Sequence, residues 1–447
     1  MHRHLVRHLT YPLHEWLKGK DTLSRLSQLE RTQYAARADL EAIQMTKLRR
    51  LLDHAHRTVP YYRQLFDDRR IRPDDITSVA DYAAIPCLTK SLVREHAERM
   101  RSTADTGRHL PYTTGGSTGE PMKFVVDRRR VSAEWAANWR ARRWWGVNIG
   151  DRMMSVWASP IEASAQTRLK TLRDRLLNTQ LISALNLDAE AVPGYLQRIR
   201  RFKTDYLFGY ASCLTLLAKT ILDRGLSPPG RLKAIFTTGD TLFEHHRRLI
   251  ETAFQTRVGI EYGARDGGFI AHECPHGGLH IFEEGMVVEV LDRDGRPAKP
   301  DHPGEIVLTI LDTRAMPFLR YRIGDIGYLS SRPCPCGVTL RVLGGLVGRV
   351  CDNLIRADGS TIHGPALANI LLTNPLIERY QIIQTDYARV TLKIVSAHPL
   401  SAHERHAIQR GFDLAFGQPT TLHIERVGEI PASASGKTRY IINQIAI

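Results

Sequence analysis

Apolar residues first settle into a regular pattern near the start of the chain. Leu40, Ile43, Leu48, Leu51 and Leu52 share one face of a segment running from residue 25 to 56. That three-to-four-residue period predicts one amphipathic helix packed on a core, ended by Pro60. Residues 74–90 read as loop and short helix. Short strand-like runs then alternate with longer helical ones. Strands are expected around 112–126, at 152–157, at 206–208 and at 234–237, with helices at 131–145, 189–202 and 212–224 between them. This alternation predicts an α/β architecture with parallel sheets.

From residue 286 the pattern changes. Val287–Leu291 and Gly304–Ile310 read as strands of a β-rich subdomain. The last section predicts a helix at 364–372, strands at 379–384 and 389–395, a helix at 401–415 and a closing strand at 420–427. The expected organisation is a large N-terminal domain (1–348) and a small, mobile α+β C-terminal domain (349–447). A chain of 447 residues exceeds one typical core, which agrees.

Composition narrows the function classes. There is no apolar stretch long enough to cross a membrane, and Met1–His8 carries charge where a signal peptide needs apolar residues, so a cytoplasmic protein is expected. The net charge is +15, but the basic residues are spread, with short clusters only at Arg128–Arg130 and Arg140–Arg143. A solvated surface accounts for them, and no aromatic platform accompanies them, so no nucleic-acid partner is expected. Six cysteines do not make a disulfide scaffold in a chain this long. Cys87, Cys213 and Cys351 stand apart, whereas Cys274, Cys334 and Cys336 group with nearby histidines.

Tyr112-Thr-Thr-Gly-Gly-Ser-Thr-Gly-Glu-Pro121 concentrates glycine and hydroxyl side chains in one loop, followed by the strand-like Phe124-Val-Val126. Such a loop can turn several backbone N–H groups and hydroxyls onto one anion, and polyphosphate is the natural occupant. It is not a Walker A loop, because Glu120-Pro121 stands where Gly-Lys-Ser/Thr would be.

Four later segments give the loop a context: Glu261-Tyr-Gly-Ala-Arg-Asp266, Tyr321-Arg-Ile-Gly-Asp-Ile-Gly327, Gly348-Arg-Val-Cys-Asp352 and Pro431-Ala-Ser-Ala-Ser-Gly-Lys437. In this order they resemble the core motifs of the adenylate-forming, acyl-CoA synthetase-like superfamily. Val59-Pro-Tyr-Tyr-Arg63, Gly278-Leu-His-Ile281 and Met316-Pro-Phe-Leu-Arg-Tyr321 resemble its phenylacetate–CoA ligase and CapK-type branch. The likeness spans residues 30 to 445. It implies an ATP- and Mg²⁺-dependent ligase that activates a small carboxylic acid as acyl-adenylate and passes the acyl group to coenzyme A.

The resemblance also assigns roles. Thr114, Gly115, Gly116, Ser117, Thr118 and Gly119 would clasp the ATP phosphates. Gly239, Asp240 and Thr241 would form one wall of the adenine and acyl pocket, with Tyr262 and Gly263 opposite. Asp266 stands where relatives carry a Mg²⁺-holding glutamate. Asp325 matches an aspartate that accepts from the ribose hydroxyls, and Arg349 an arginine reaching the ribose and α-phosphate. Lys437 matches the lysine that bridges carboxylate and α-phosphate during adenylation, which suits a long, mobile point charge. The C-terminal domain would then swing away for acyl transfer about a hinge near residues 349–352, where Cys351 departs from the usual aspartate.

A Cys-x-Cys-Gly turn at Cys334–Gly337, with a Cys/His group some sixty residues earlier, can supply four tetrahedral zinc ligands. The resemblance favours Cys274, His280, Cys334 and Cys336, with His276 and His272 as competing imidazoles, and implies a structural site. Trp135, Trp139 and Tyr210 are candidates for an aromatic pocket lining or for core. Several readings stay open. The acceptor is coenzyme A, an amine or a carrier-protein thiol. Alternatively, the chain is a non-catalytic nucleotide-binding protein of polysaccharide assembly. Homodimerisation is also open.

Overall fold

The computed structural model describes residues 1–447 except 105–106, 115–121, 158–167, 184–189, 350–353, 359, 363–366, 368–369, 372–373, 375, 397, 431–440 and 446–447. A helical run opens the chain, made of Arg3–Leu5, a π-turn at Val6–Thr10 and Tyr11–Leu17. The expected helix over 25–56 is instead two helices, α1 (Thr22–Thr32) and α2 (Arg37–Thr58). The break has a specific cause. Ala36 is extended, the Gln33 carbonyl accepts from the Thr339 N–H (3.0 Å), and the Ala35 carbonyl accepts from the Thr339 hydroxyl (2.8 Å). Two carbonyls are thus turned toward a distant loop. Pro60 follows the end of α2 as expected, and it also starts α3 (Pro60–Arg69), where its missing N–H costs nothing.

Strands β1 (His109–Thr113) and β2 (Lys123–Asp127) form an antiparallel hairpin that carries the glycine-rich loop at its tip. The main sheet follows. Its parallel half contains β3 (Met153–Trp157), β4 (Thr179–Ser183), β5 (Tyr206–Tyr210), β6 (Ala234–Thr238) and β7 (Val258–Ala264). Its antiparallel half contains β8 (Gly268–Glu273), β9 (Leu279–Ile281), β10 (Met286–Leu291), β11 (Gly304–Ile310), β12 (Tyr321–Leu329) and β13 (Val342–Arg349). Among the described residues these eleven strands run in the order β10-β11-β12-β13-β9-β8-β7-β6-β5-β3-β4. The expected parallel α/β part and β-rich part are therefore two halves of one sheet, joined where β7 meets β8.

Helices α4 (Arg128–Trp144), α5 (Arg168–Leu176), α6 (Val192–Phe202), α7 (Ala211–Asp223) and α8 (Glu244–Phe254) accompany the parallel half. Apolar residues of α6, α7 and α8 pack against β3, β5 and β6. The two arginine clusters on α4 are only partly a solvated surface, with Arg129 exposed. Arg130, Arg140 and Arg142 are buried. Arg140 donates to Glu284 at 2.5 Å, and Arg142 donates to Glu261 (3.2 Å) and the Tyr206 hydroxyl (3.2 Å) while lying over the Trp139, Phe208 and Phe236 rings. Buried charge is tolerable only with partners of this kind.

The C-terminal unit begins with the β14–β15 hairpin (Leu354–Ile355 with Thr361–Ile362). Strands β16 (Ile377–Asp386), β17 (Arg389–Ser396), β18 (Thr421–Arg426) and β19 (Ile441–Asn443) then form a sheet in the order β18-β17-β16-β19, with helix α9 (Ala402–Phe416). These match the expected strands and the 401–415 helix; most of the expected helix at 364–372 lies outside the described residues. Arg349 is the last residue of β13, so the main sheet reaches one residue past the expected boundary. Phe243 of the large domain packs on the C-terminal core.

Candidate active site and metal centre

The junction of the two half-sheets brings together two of the sequence motifs. Glu261–Asp266 covers the end of β7 and the turn into β8, while Tyr321–Gly327 is the first part of β12. Each segment supplies a tyrosine to the other's aspartate. The Tyr262 hydroxyl donates to Asp325 Oδ2 at 2.8 Å, and the Tyr321 hydroxyl donates to Asp266 Oδ2 at 2.6 Å. All four residues are buried. A hydroxyl donated to a carboxylate is a strong, orienting bond in such surroundings.

Asp325 pairs across the sheet with Arg349, so these two sequence-predicted residues are register partners. Gly324, beside Asp325, has a φ of +84°, a conformation glycine adopts without strain. Gly239 has the same need, at +83°, and a Cβ there would meet the Tyr210 ring at 2.4 Å. Tyr210 in turn stacks on Trp157 with 4.3 Å between ring centroids. An aromatic slab thus lines the carboxyl ends of β3 and β5, the edge where open α/β sheets bind ligands.

Asp240, expected in a pocket wall, has a carboxylate that accepts from the Ala211 (2.6 Å) and Ser212 (3.0 Å) N–H groups. It caps α7, whose first N–H groups have no partner inside the helix. Thr114 closes the base of the glycine-rich loop: its hydroxyl oxygen accepts from the Met122 N–H at 3.0 Å, and its own N–H donates to the Met122 carbonyl. The remaining loop residues, Gly115, Gly116, Ser117, Thr118 and Gly119, lie outside the described residues, as do Lys437 and Cys351, and nothing is described of the Arg349 side chain. Trp139 is core, donating its indole N–H to the Tyr11 hydroxyl at 2.9 Å, and Trp135 is partly exposed on α4.

Asp266 is not a surface carboxylate. It is buried beside Lys90, whose Nζ lies 3.5 Å from Oδ2. The sequence reading missed Lys90. The bridge from Leu88 to Tyr321 places it, with Leu88 N–H donating to the Arg320 carbonyl and Arg322 N–H to the Leu88 carbonyl, both 2.9 Å. Arg320 secures the same segment: it forks onto Glu289 and donates to the Ala83 and Ile85 carbonyls. Tyr62 joins two of the three branch-level motifs, donating to the Pro317 carbonyl (3.0 Å) and accepting from the Leu319 N–H (3.1 Å). These residues hold the site together from behind.

The cysteines converge as expected. Cys274 follows β8, His280 lies in β9, and Cys334 and Cys336 lie between β12 and β13. Their four ligand atoms all fall within 4.8 Å of one another, with Cys274 Sγ to Cys334 Sγ 3.5 Å and His280 Nε2 to Cys336 Sγ 3.1 Å. Tetrahedral zinc would set sulfur–sulfur separations of about 3.8 Å. Among the described residues this is the one such cluster of three or more.

Supporting contacts suit a metal. His280 Nδ1–H donates to the Leu340 carbonyl (3.1 Å), which leaves Nε2 as the lone pair facing the thiols. The His276 backbone N–H donates to Cys274 Sγ at 3.4 Å, but its ring is not part of the cluster, and His272 donates instead to the Glu273 carbonyl. Burial pushes the Cys274 thiol up to about 12 and raises Cys336. The donor set fits Zn²⁺ with no open position. The same loop carries Thr339, which holds the α1–α2 break.

Comparison with known proteins agrees with this geometry. Residues 354–444 match the family described as the CapK C-terminal domain. Protein CapK of Staphylococcus aureus is 26% identical over 415 residues, covering 91% of this chain and 90% of CapK. A phenylacetate–coenzyme A ligase of Thermus thermophilus is 25% identical over 444 residues, covering 91% and 97%. CapK and the phenylacetate–coenzyme A ligases are its homologues. A crystal structure of 2-hydroxyisobutyryl-CoA ligase in the postadenylation state superposes with a TM-score of 0.75 at 19% identity, covering 93% of this chain and 91% of that one. The chain therefore has the fold of the adenylate-forming CoA ligases over most of its length.

Proposed function

We propose that this protein is an AMP-forming acid–thiol ligase that activates a carboxylic acid with ATP and transfers the acyl group to coenzyme A. The observation that carries this reading is the crossed pair Tyr262–Asp325 and Tyr321–Asp266. It fixes two carboxylates at the junction of the half-sheets, one suited to ribose hydroxyls and one to a phosphate-bound Mg²⁺. Mg²⁺ commonly takes one or two protein carboxylates and completes its shell with phosphate oxygens and water, so one carboxylate suffices. When bound, it would neutralise charge on the phosphates. Lys90, beside Asp266, adds a cation at the same edge.

In this reading the loop 114–121 holds the β- and γ-phosphates while Asp325 and Arg349 hold the nucleoside and α-phosphate. The acid lies on the Trp157–Tyr210 slab, between Gly239 and Tyr262. Its carboxylate oxygen attacks the α-phosphorus and pyrophosphate leaves; Lys437 offsets the negative charge that builds between the two anions. Once the C-terminal domain has rotated, the thiol of coenzyme A attacks the acyl carbon and AMP departs. The zinc site holds the β8–β9 and β12–β13 connections together and takes no part in the chemistry.

The test is ATP–pyrophosphate exchange across a library of carboxylic acids, followed by AMP release with the best acid in the presence or absence of coenzyme A. A coenzyme A-dependent rise, with the thioester identified by mass, is the expected result. No exchange with any acid would overturn adenylation. Adenylate that an amine or carrier-protein thiol discharges, and coenzyme A does not, would replace the acceptor.

A further inference from the structure

The helical run at the start of the chain turns an apolar stripe to solvent. Leu5, Leu9 and Leu13 follow at four-residue intervals, and Trp16 and Leu17 extend the line; Trp16 is 74% exposed and Leu17 67%. The opposite side is sealed. Val6, Tyr11 and Glu15 are buried, and the Met1 amino group and carbonyl both bond to Asn178. Helix α5 lies alongside, with the Thr10 hydroxyl donating to the Leu176 carbonyl at 3.1 Å, and it contributes exposed Leu172 and Leu176. Monomeric proteins seldom leave this much contiguous apolar side chain in water without a partner.

Charge says what kind of partner. Residues 1–20 and 168–176 together hold eight Lys and Arg residues against two carboxylates. Of those two, Glu15 is buried beside Lys20 and Asp174 pairs with Arg173. Arg7, Lys18 and Arg175 flank the stripe and are exposed. A second copy of the chain fits poorly, because a two-fold contact would set this basic face against itself. Leucine and tryptophan along one side of a helix, with cations at its flanks, is the composition that lies in the plane of an anionic lipid surface.

We propose that this face docks peripherally on anionic phospholipid, placing the ligase at a membrane surface. Nothing in it spans the bilayer: among the described residues no helix is long and apolar enough to cross. The apolar stripe would enter the headgroup boundary while the flanking cations meet lipid phosphate. Both contributions are needed, since one short apolar stripe alone holds a protein only weakly.

The experiment is flotation of the full chain with vesicles of phosphatidylcholine alone or of equimolar phosphatidylcholine and phosphatidylglycerol. Binding is expected only to the anionic vesicles, falling as salt is raised. Leu9→Ser and Leu13→Ser should each weaken it roughly tenfold, the value of removing a large apolar side chain from water. Arg7→Ala with Lys18→Ala should weaken it too. Because these residues are exposed, melting temperature and pyrophosphate exchange in solution should be unchanged, which separates lost docking from lost folding. Trp16→Ser should abolish the vesicle-induced blue shift in fluorescence. Equal partition onto neutral vesicles, or no binding to anionic ones, overturns the proposal. So does a dimer in light scattering that Leu9→Ser dissolves, since the stripe would then belong to a protein contact.

Discussion

Tyr262 donates its hydroxyl proton to Asp325 across 2.8 Å, which joins the end of the parallel half-sheet to β12 of the antiparallel half. Neither residue is near the other in sequence, and both are buried. The bond fixes one carboxylate oxygen and so orients the group proposed to receive the ribose. Tyr262→Phe removes a hydrogen bond to a charged acceptor, a loss of about 1.5–3 kcal/mol. Because the ring stays in place, the expected outcome is a KM for ATP raised roughly tenfold to a hundredfold with little change in melting temperature. Steady-state kinetics at saturating acid checks it; an unchanged KM would remove Asp325 from nucleotide binding.

The companion bond from Tyr321 to Asp266 bears on magnesium. Asp266→Asn keeps the shape and the capacity to accept from Tyr321 but loses the charge a hard dication needs. The Mg²⁺ concentration for half-maximal exchange should rise by roughly the tenfold that about 1.4 kcal/mol represents. Lys90→Met should not produce that shift, since it removes the competing cation at 3.5 Å instead. Equal effects of both substitutions on melting and none on the Mg²⁺ titration would make Asp266 purely structural.

Much of the site was legible because its chemistry is compressed into short motifs. Asp325, Tyr262 and Gly239 were named through the resemblance that those motifs carry, and the cysteine spacing pointed to the side chains that cluster. Other features were hidden for physical reasons. Arg140 and Arg142 look like surface charge in a string of letters, because the partners that make them tolerable inside, Glu284 and Glu261, lie more than a hundred residues away. The helical period over 25–56 is real, but its interruption depends on Thr339, which no local pattern reveals. That Asp240 caps α7 has no local signal either, because the N–H groups it accepts from lie some thirty residues away. Lys90 carries no motif signal; a backbone bridge to Tyr321 delivers it.

The buried Glu283 gives the fold an acid-sensitive joint. Burial by itself would raise its pKa, but Arg341 and Arg37 outweigh that and hold the carboxyl below the usual range. Arg37 forks onto it at 2.8 and 3.0 Å, and Arg341 donates through both side chain and backbone. A depressed native pKa means the stabilisation is fully present above the unfolded value of about 4.3 and is lost as pH falls through the native one. Glu283→Gln should therefore cost about 3 kcal/mol at neutral pH, the range for breaking a buried pair from one side. Urea unfolding at stepped pH should show the gap between variant and wild type closing toward acid; a constant gap would contradict the linkage.

The zinc reading makes a prediction about folding rather than turnover. Purified protein should carry about one zinc per chain, and strong chelation should lower the melting temperature, because binding free energy here is folding free energy. Cys334→Ser should lose the metal and destabilise the chain, with exchange activity per folded molecule retained. The α1–α2 break should loosen at the same time, since Thr339 lies in the loop that Cys334 and Cys336 anchor. Faster amide exchange at 33–40 in the variant would report that coupling. Metal-free protein of full stability would end the assignment.

In the proposed scheme Lys437 serves one half-reaction and not the other. The lysine sits on the C-terminal domain by sequence, and the proposed chemistry needs it only while the carboxylate and the α-phosphate are being joined. Both reactants are anions, so a preorganised cation between them stabilises charge that builds up only in the transition state. Lys437→Ala should cut acyl-adenylate formation roughly 10²- to 10³-fold, the scale of removing one such contact. Lys437→Arg should recover little, because a planar fork does not replace a compact point charge. In the proposed scheme the second half-reaction starts after the domain has turned away, so the variant supplied with synthetic acyl-adenylate and coenzyme A should form thioester at close to the wild-type rate. The comparison uses one acid, found by exchange, with both steps followed by mass and by AMP release. Loss of both steps to the same extent would mean that the lysine supports the fold or that one conformation serves both reactions, and the swinging-domain scheme would fail.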